Sequence, residues 1–448
     1  MVKTKFSREE EKAFVKATLL PVKKVKPFIE EKNFELCDKK ASPAAKKLAA
    51  FLNGVSEAGL LMYGHQNDMH RKAGPHERPF SSSDTFDVTG EYAAVCGLDA
   101  LCLVGTENGH WYWGKKKRVK SCVGLAMKSI KKGAIISLSA HMPNFQLLKE
   151  WQEGVCPPCP LYHHEDKKID KKINASYKER PLFLKDSSVN FSGYTPNDLR
   201  GCVVRDVMPG RPLNSFYCEY LDLVCDFCLA LQKKDQALIW RPFHENSGNW
   251  FWWGAASSSV EDFVALWKYT YEYFTEKRNV HNLIWAYSPG SEYHCQAGYE
   301  SRYPGDAYVD LLGFDMYQQV ANQGNSFWAL YEEQCSLISG LAVKHKKLFA
   351  NTETGIMNAD GKALLLSGNH DFEWYEKIAA VCLKYSACYF LLWANFWSGG
   401  AYYSPYIKSF KKSGSRITML EGHEMLDSFI RLYNNPKLLF SDEVKDRE

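Results

Sequence analysis

The sequence predicts an α/β protein, a single (β/α)8 TIM barrel with an N-terminal arm and elaborated loops. Three observations lead there. Eight short apolar runs recur along the chain, segments of 3.6-residue period fall between them, and no run leads into the GxGxxG turn of a two-domain dinucleotide-binding fold. Strands alternating with helices give a parallel sheet, and eight such units close it into a barrel. With long loops, one barrel accommodates all 448 residues.

The elements follow in order. Residues 1–40 are rich in Lys and Glu, contain Pro21 and Pro27, and read as a basic arm packing on the barrel; residues 41–448 form the barrel domain. Ala44–Leu52 is a helix ahead of the first strand. Strands are expected at Leu60–Asn67, Ala94–Ala100, Ala134–Met142, Ala237–Glu245, Asn282–Ser288, Val309–Tyr317, Lys347–Gly355 and Cys388–Phe396. Helical periodicity places helices at Val123–Lys132, Tyr217–Lys233, Val260–Lys277, Phe327–His345, Asp371–Tyr385 and Gly422–Asn434. One insertion, about residues 145–215, breaks the rhythm, where Pro157, Pro158, Pro160, a charged run at 163–172 and Gly193 mark loops above the barrel.

Composition excludes several classes. With 56 basic against 52 acidic side chains, the excess is slight, and its lysine runs are scattered rather than gathered on one element as nucleic-acid binding requires. No stretch reaches the roughly 20 apolar residues of a membrane span, and residues 1–20 lack the apolar core of a secretory leader. The expected product is a monomer without nucleic-acid or membrane partners. It is read as secreted with its leader absent from this sequence, the alternative being a cytoplasmic or intracellular digestive compartment.

The 14 cysteines are too dilute for a disulfide scaffold. Cys156 and Cys159, in a Pro-rich loop before His163 and His164, read as surface thiols or a disulfide; Cys225 and Cys228 read as small buried thiols within a helix. No metal or organic cofactor is expected. Two sequons, at Asn174 and Asn190, matter only in a secretory compartment.

Active sites of such barrels form at the C-terminal strand ends, and here those ends are polar. His141 closes the third run, His244 and Glu245 the fourth, Asp315 and Tyr317 the sixth, Glu353 the seventh, Trp393 and Asn395 the eighth. Glu245 and Glu353 come from strands on opposite sides of the barrel mouth, where two carboxyl groups can flank a glycosidic bond, one donating a proton while the other attacks the anomeric carbon or activates water. The 13 Trp, 25 Tyr and 25 Phe exceed what a core needs, and surplus rings suit a groove in which sugars stack. Residues 250–253, WFWW, stand five positions past Glu245; neighbours on an extended segment point opposite ways, so at least one of these rings belongs to the core.

The segment RPFHENSGNWFWWG at 241–254 resembles the acid/base motif of glycoside hydrolase family 26, chiefly β-1,4-mannanases. GHQN at 64–67, GLD at 97–99, HMPN at 141–144, YPGD at 303–306, GFDMY at 313–317 and TETG at 352–355 follow in the order that family shows. The resemblance covers about residues 45–440. It implies a retaining endo-β-1,4-mannanase acting on mannan, glucomannan or galactomannan, with a β-mannan polysaccharide or mannooligosaccharide as its partner, Glu245 as acid/base and Glu353 as nucleophile. It further implies that His244 and Tyr317 hydrogen-bond the nucleophile, Trp393 floors the subsite of the cleaved sugar, Trp250 stacks on the leaving-group side, and His141 and Trp285 line the sugar pocket. Asp315 is a candidate for a sugar hydroxyl. A retaining pair should stand about 5–5.5 Å apart.

Two features depart from the family pattern: Asn246 and Ser247 replace a Met-Asn-like pair after Glu245, and no arginine follows Trp393 to grip a distal sugar. Competing readings keep the mechanism and change the sugar or mode: a mannobiose-releasing exo-mannanase, a mixed-linkage β-glucanase, a β-1,3-xylanase. A non-catalytic carbohydrate-binding barrel is the alternative from another class. A phosphate-binding metabolic barrel has only Ser398-Gly-Gly400 in its favour.

Overall fold

The computed structural model describes residues 18–73, 81–107, 112–155, 181–192, 195–319, 325–357, 368–395, 402–407, 409–413, 416–420 and 422–445. Cys156, Cys159, the charged run 163–172, the sequon at Asn174 and Ser398–Gly400 lie outside them.

All eight expected strands are present: β1 Leu61–Gln66, β2 Val95–Asp99, β3 Ile135–Ser139, β4 Leu238–Arg241, β5 Leu283–Tyr287, β6 Leu311–Gln318, β7 Leu348–Ile356 and β8 Tyr389–Leu392. Each pairs in parallel with the next, and β8 returns to β1 through Met62↔Tyr389 to His65↔Leu392, closing the ring. A hairpin, β9 Ser409–Ser413 with β10 Arg416–Leu420, lies apart, and a two-residue strand, β11 Leu438–Leu439, adds to β1 from outside. The main helices are α1 Pro43–Glu57, α2 Lys115–Lys131, α3 Asn214–Gln232, α4 Val260–Glu272, α5 Asn325–His345, α6 Trp374–Lys384 and α7 Leu426–Asn434. Helix α2 begins eight residues ahead of its expected start, because its first turns are the exposed lysines of KKKRVK and carry no apolar stripe.

Strand alternation divides the apolar side chains into two cores. Met62, Ile239, Ile284, Leu311, Leu348 and Leu391 point inward and fill the barrel bottom, where Leu48, Phe51, Leu52 and Val55 of α1 seal it. Trp240, Trp285, Phe314, Phe349 and Phe390 point outward against the helices. Helix α1 starts at an N-cap, Ser42, whose side chain accepts from the Ala45 N–H, with Pro43 at the first helical position. The insertion does more than form loops: Phe145, on a helix Phe145–Gln152, and Phe191 pack edge-on against Tyr217 and Tyr220 of α3. Asn190 is buried, its Nδ2 donating to the Pro181 carbonyl at 3.1 Å, so that sequon faces inward. Cys225 and Cys228 are buried in α3. Among the described residues no helix is long and apolar enough to cross a membrane.

Residues 18–40 contain no helix or strand and run along the outside of the barrel bottom. The Val22 N–H donates to Asn434 Oδ1 at 2.8 Å, Lys32 to the Ala50 carbonyl at 3.0 Å and Cys37 to Asp310 Oδ1 at 2.6 Å. Gly54 of α1 permits this approach, since a Cβ there would stand 2.2 Å from the Glu30 carbonyl oxygen. Gly54→Ala should therefore push the arm off α1 at a cost of about 1–3 kcal/mol. Thermal denaturation and limited proteolysis check this: a lower melting midpoint with faster cleavage of the arm is expected, and an unchanged protein would contradict the packing.

Candidate active site

The floor of the barrel mouth is organised by Arg241, the last residue of β4. It shares the inward parity of Ile239 and is 2% exposed. Its Nη1 donates to Asp315 Oδ2 at 2.5 Å and its Nη2 to Glu353 Oε2 at 2.5 Å. Asp315 Oδ1 accepts from Thr352 Oγ1 at 2.7 Å, and Glu353 Oε1 accepts from the Tyr317 hydroxyl at 2.5 Å. Both oxygens of each acid are thus tethered, which fixes the planes of the two carboxyl groups.

Strict alternation along β7 would send Glu353 out to the helices. Leu348 and Ala350 point in, Phe349 points out, and Asn351 reaches the Tyr331 hydroxyl of α5, while Thr352 points in to Asp315. The register with β6 slips at this place: Phe314 pairs with Asn351 and Asp315 with Glu353, leaving Thr352 as an extra residue. A bulge of this kind re-aims the following side chain, and Glu353 joins Thr352 on the inner face.

Glu245 is reached differently. Strand β4 ends at Arg241 rather than at Glu245, because the chain enters a tight turn in which Phe243 (φ 51°) and Glu245 (φ 53°) adopt left-handed conformations. Such residues cost on the order of 1–3 kcal/mol each unless their surroundings hold them. Here the Glu245 N–H donates to the Ser288 carbonyl at 2.8 Å and its carbonyl accepts from Gly248 at 3.0 Å. Trp250 Nε1 donates to Glu245 Oε2 at 2.5 Å, and Gly248 leaves room for that indole, since a Cβ there would lie 2.5 Å from the ring. One oxygen from each of Glu245, Asp315 and Glu353 lies within 4.8 Å of the others. The Arg241 guanidinium supplies the positive charge in their midst.

Burial pushes the Glu245 carboxyl well above the usual carboxylate range, and the neighbouring Glu353 and Asp315 carboxylates add to it, against the Trp250 hydrogen bond and Arg241. Asp315 is raised as well, by burial and by Glu353, with Arg241 and Thr352 opposing. Three acids around one guanidinium share a single positive charge, and the geometry leaves Glu245 the less well held of the two raised carboxyls. Both Asp315 oxygens are occupied as acceptors, whereas among the described residues the Glu245 carboxyl accepts from the Trp250 indole alone.

His141 and His244 form a pair, with Nε2 atoms 3.4 Å apart and rings edge to face. Asp99, at the end of β2, holds His141 Nδ1 at 2.8 Å while accepting from Ser139 Oγ and the Leu101 N–H. Burial pulls the His141 imidazolium down, but the Asp99 carboxylate outweighs it and the net shift is upward. Burial, then Arg241 and His141, holds His244 well below the usual imidazole range. The expected bond from His244 to the nucleophile is therefore corrected: His244 Nε2 faces His141, and Arg241 and Tyr317 occupy the Glu353 oxygens.

Trp250 is half-buried over the acid, whereas Trp252 and Trp253 are core, their N–H groups donating to the carbonyls of Met142 and His244. Trp393, just past β8, is half-buried with its ring 5.7 Å from that of His141. Tyr403 lies beside Tyr317 with centroids 5.8 Å apart, and only a glycine at 355 admits it, a Cβ there falling 2.3 Å from the Tyr403 ring.

Trp285 is not part of the site. It is fully buried and packs outward against Trp267, Tyr271 and Phe274 of α4 and its extension, because its neighbours Ile284 and Ala286 take the inward positions on β5. The motifs that contain Arg241, Asp99 and Phe251 carry no sign of their roles; Phe251 stacks edge-on with both histidines. For Arg241 the signal lies outside the motif, in an inward-parity arginine on an apolar strand.

Trp285→Ala should cost about 3–5 kcal/mol in urea unfolding, while Trp285→Phe leaves substrate affinity unchanged; a binding defect in the Phe variant would return Trp285 to the pocket. Arg241→Ala leaves buried acids uncompensated and should cost about 3–5 kcal/mol, read by the same denaturation midpoint.

The profile of glycosyl hydrolase family 26 matches residues 37–397. A mannan endo-1,4-beta-mannosidase of Bifidobacterium adolescentis is 28% identical over 335 residues, covering 73% of this chain and 29% of the relative; one of Bacillus subtilis (strain 168) is 32% identical over 196 residues, covering 42% and 46%. The matches thus span less than half of these relatives' own length. Among solved structures, the catalytic domain of a Bacillus sp. JAMB-750 family 26 endo-beta-1,4-mannanase superposes with a TM-score of 0.74 at 25% identity, covering 93% of this chain and 96% of that one. A family 26 beta-mannanase from Bacteroides ovatus gives a TM-score of 0.66 at 26% identity, with 90% and 96% covered. With the family profile spanning most of the chain over a closed eight-stranded barrel, this protein belongs to glycosyl hydrolase family 26.

Proposed function

We propose that the protein is a retaining endo-β-1,4-mannanase that hydrolyses internal β-1,4-mannosidic bonds by double displacement. The observation that carries the reading is the approach of Glu245 and Glu353, whose carboxyl oxygens come within 4.8 Å. That supports the narrow spacing of retaining pairs over the about 6.5–9.5 Å gap that an inverting pair leaves for water. The names of the relatives, mannan endo-1,4-beta-mannosidases, support mannan as the substrate class.

In the first step a Glu353 oxygen attacks the anomeric carbon while neutral Glu245 gives its proton to the departing glycosidic oxygen. In the second, Glu245, now a carboxylate, takes a proton from water as that water attacks the same carbon and releases Glu353. Arg241 and Tyr317 hold Glu353 in place for the attack. Trp250 and Trp393, the half-buried rings at this mouth, offer faces for the sugars on either side of the scissile bond.

Replacing Glu353 or Glu245 by Ala should lower turnover on β-mannan by at least about 10³-fold, consistent with the weight of nucleophilic and acid catalysis, with binding of mannooligosaccharides retained. NMR of the first-formed product should show the β-anomer; the α-anomer would overturn the retaining assignment. Since Glu245 must be protonated and its pKa lies above the normal range, kcat/KM should stay high into near-neutral pH and fall as pH rises through that pKa. In Glu245→Gln the residual activity on mannooligosaccharide should lack this alkaline limb; a limb that persists would assign it to another group.

A further inference from the structure

Beside the catalytic cluster, at the same end of the barrel, three side chains of metal-ligating type converge where the mechanism requires nothing of them. His70 lies in the turn after β1, Cys102 in the short helix Leu101–Val104 after β2, and Glu107 just beyond that helix. Cys102 Sγ is 3.0 Å from Glu107 Oε2 and 3.8 Å from His70 Nε2, and His70 Nε2 is 3.7 Å from the same Oε2.

We propose that His70 Nε2, Cys102 Sγ and Glu107 Oε2 form a binding site for a divalent transition cation of the zinc class. A triangle with edges of 3.0, 3.8 and 3.7 Å has a point about 2 Å from every corner, the length of a zinc–ligand bond to nitrogen or oxygen and slightly short of that to sulfur. At 3.7 Å the His70–Glu107 edge is longer than a hydrogen bond, so the two groups approach each other without bonding directly, as two ligands of one ion do.

The surroundings suit a ligand set. Glu107 Oε1 is taken by Asn67 Nδ2 at 3.0 Å, and Arg71 donates to the Glu107 carbonyl, which together turn Oε2 into the triangle as outer partners do for metal-bound carboxylates. Cys102 is 3% exposed, but the side chains of His70 and Glu107 are 16% and 10% exposed, leaving an entry path. A thiolate and a carboxylate neutralise a dication, and three protein ligands leave the fourth tetrahedral position for water. Bound there, the cation would join the loop after β1 to the loop after β2, adjacent strands whose ends frame the catalytic mouth.

The test is titration of the full chain, stripped with a chelator and kept under a non-thiol reductant, with CoCl2. One equivalent should bind, with a near-ultraviolet thiolate-to-cobalt band and visible bands of tetrahedral intensity, and ZnCl2 should displace it. Cys102→Ser should abolish the thiolate band, and His70→Ala and Glu107→Gln should each weaken cobalt binding at least tenfold. Glu107→Gln preserves shape and the Asn67 contact, so it speaks even where a serine or alanine variant folds poorly. Absence of stoichiometric binding by the wild-type chain, or a spectrum unchanged in Cys102→Ser and Glu107→Gln, would overturn the site.

Discussion

The site depends on one buried cation. Arg241 stands at the end of β4 with a guanidinium nitrogen on Asp315 from β6 and another on Glu353 from β7, so a single fork fixes side chains from three strands. It also sets the charge. Glu245, Asp315 and Glu353 each bring an oxygen within 4.8 Å of the others, and holding three ionised carboxyls beside a single positive charge is unfavourable. A proton kept on Glu245 relieves this, and a protonated Glu245 opposite a tethered carboxylate is the asymmetry that acid-assisted glycoside cleavage needs. One interaction therefore positions the proposed nucleophile, Glu353, and favours a proton on the proposed acid, Glu245.

Arg241 can act in this way only because the backbone breaks its local rules at two places. The bulge at Thr352 turns Glu353 from the helix-facing side to the barrel interior, and the left-handed turn at Phe243 and Glu245 throws the acid across the mouth. Each is unfavourable locally and is held by specific bonds, from the Ser288 carbonyl for Glu245 and from Thr352 to Asp315 for the bulge. Strain gathered where the chemistry lies is what a functional site in an otherwise regular fold looks like. The histidines add a second layer, in which the Asp99 carboxylate raises the His141 imidazole while burial lowers that of His244.

The barrel was legible because apolar runs and 3.6-residue periodicity are local properties. Six of the eight strands lie within their expected runs, and β6 and β7 overrun theirs by one residue, at Gln318 and Ile356. The two carboxylates were legible because their motifs are contiguous. What escaped depends on parity and register. Trp285 sits between Ile284 and Ala286, whose inward positions force it out to α4, an inference alternation alone allowed. The bulge at Thr352 left no such trace: alternation from Leu348 predicts the wrong side for Glu353. His244 pairs with His141, while Arg241 and Tyr317, 112 and 36 positions before Glu353, bond the Glu353 oxygens, an arrangement that no local pattern encodes.

The account rests on Glu353 as a nucleophile held ready by Arg241 and Tyr317. The most direct test is to trap the glycosyl-enzyme with an activated 2-deoxy-2-fluoro mannoside or mannobioside and to locate the label by peptide mass spectrometry. The account predicts one sugar per chain, esterified to Glu353. A label on Asp315 or Glu245, or full activity in a reagent-treated chain that carries no label, would contradict it.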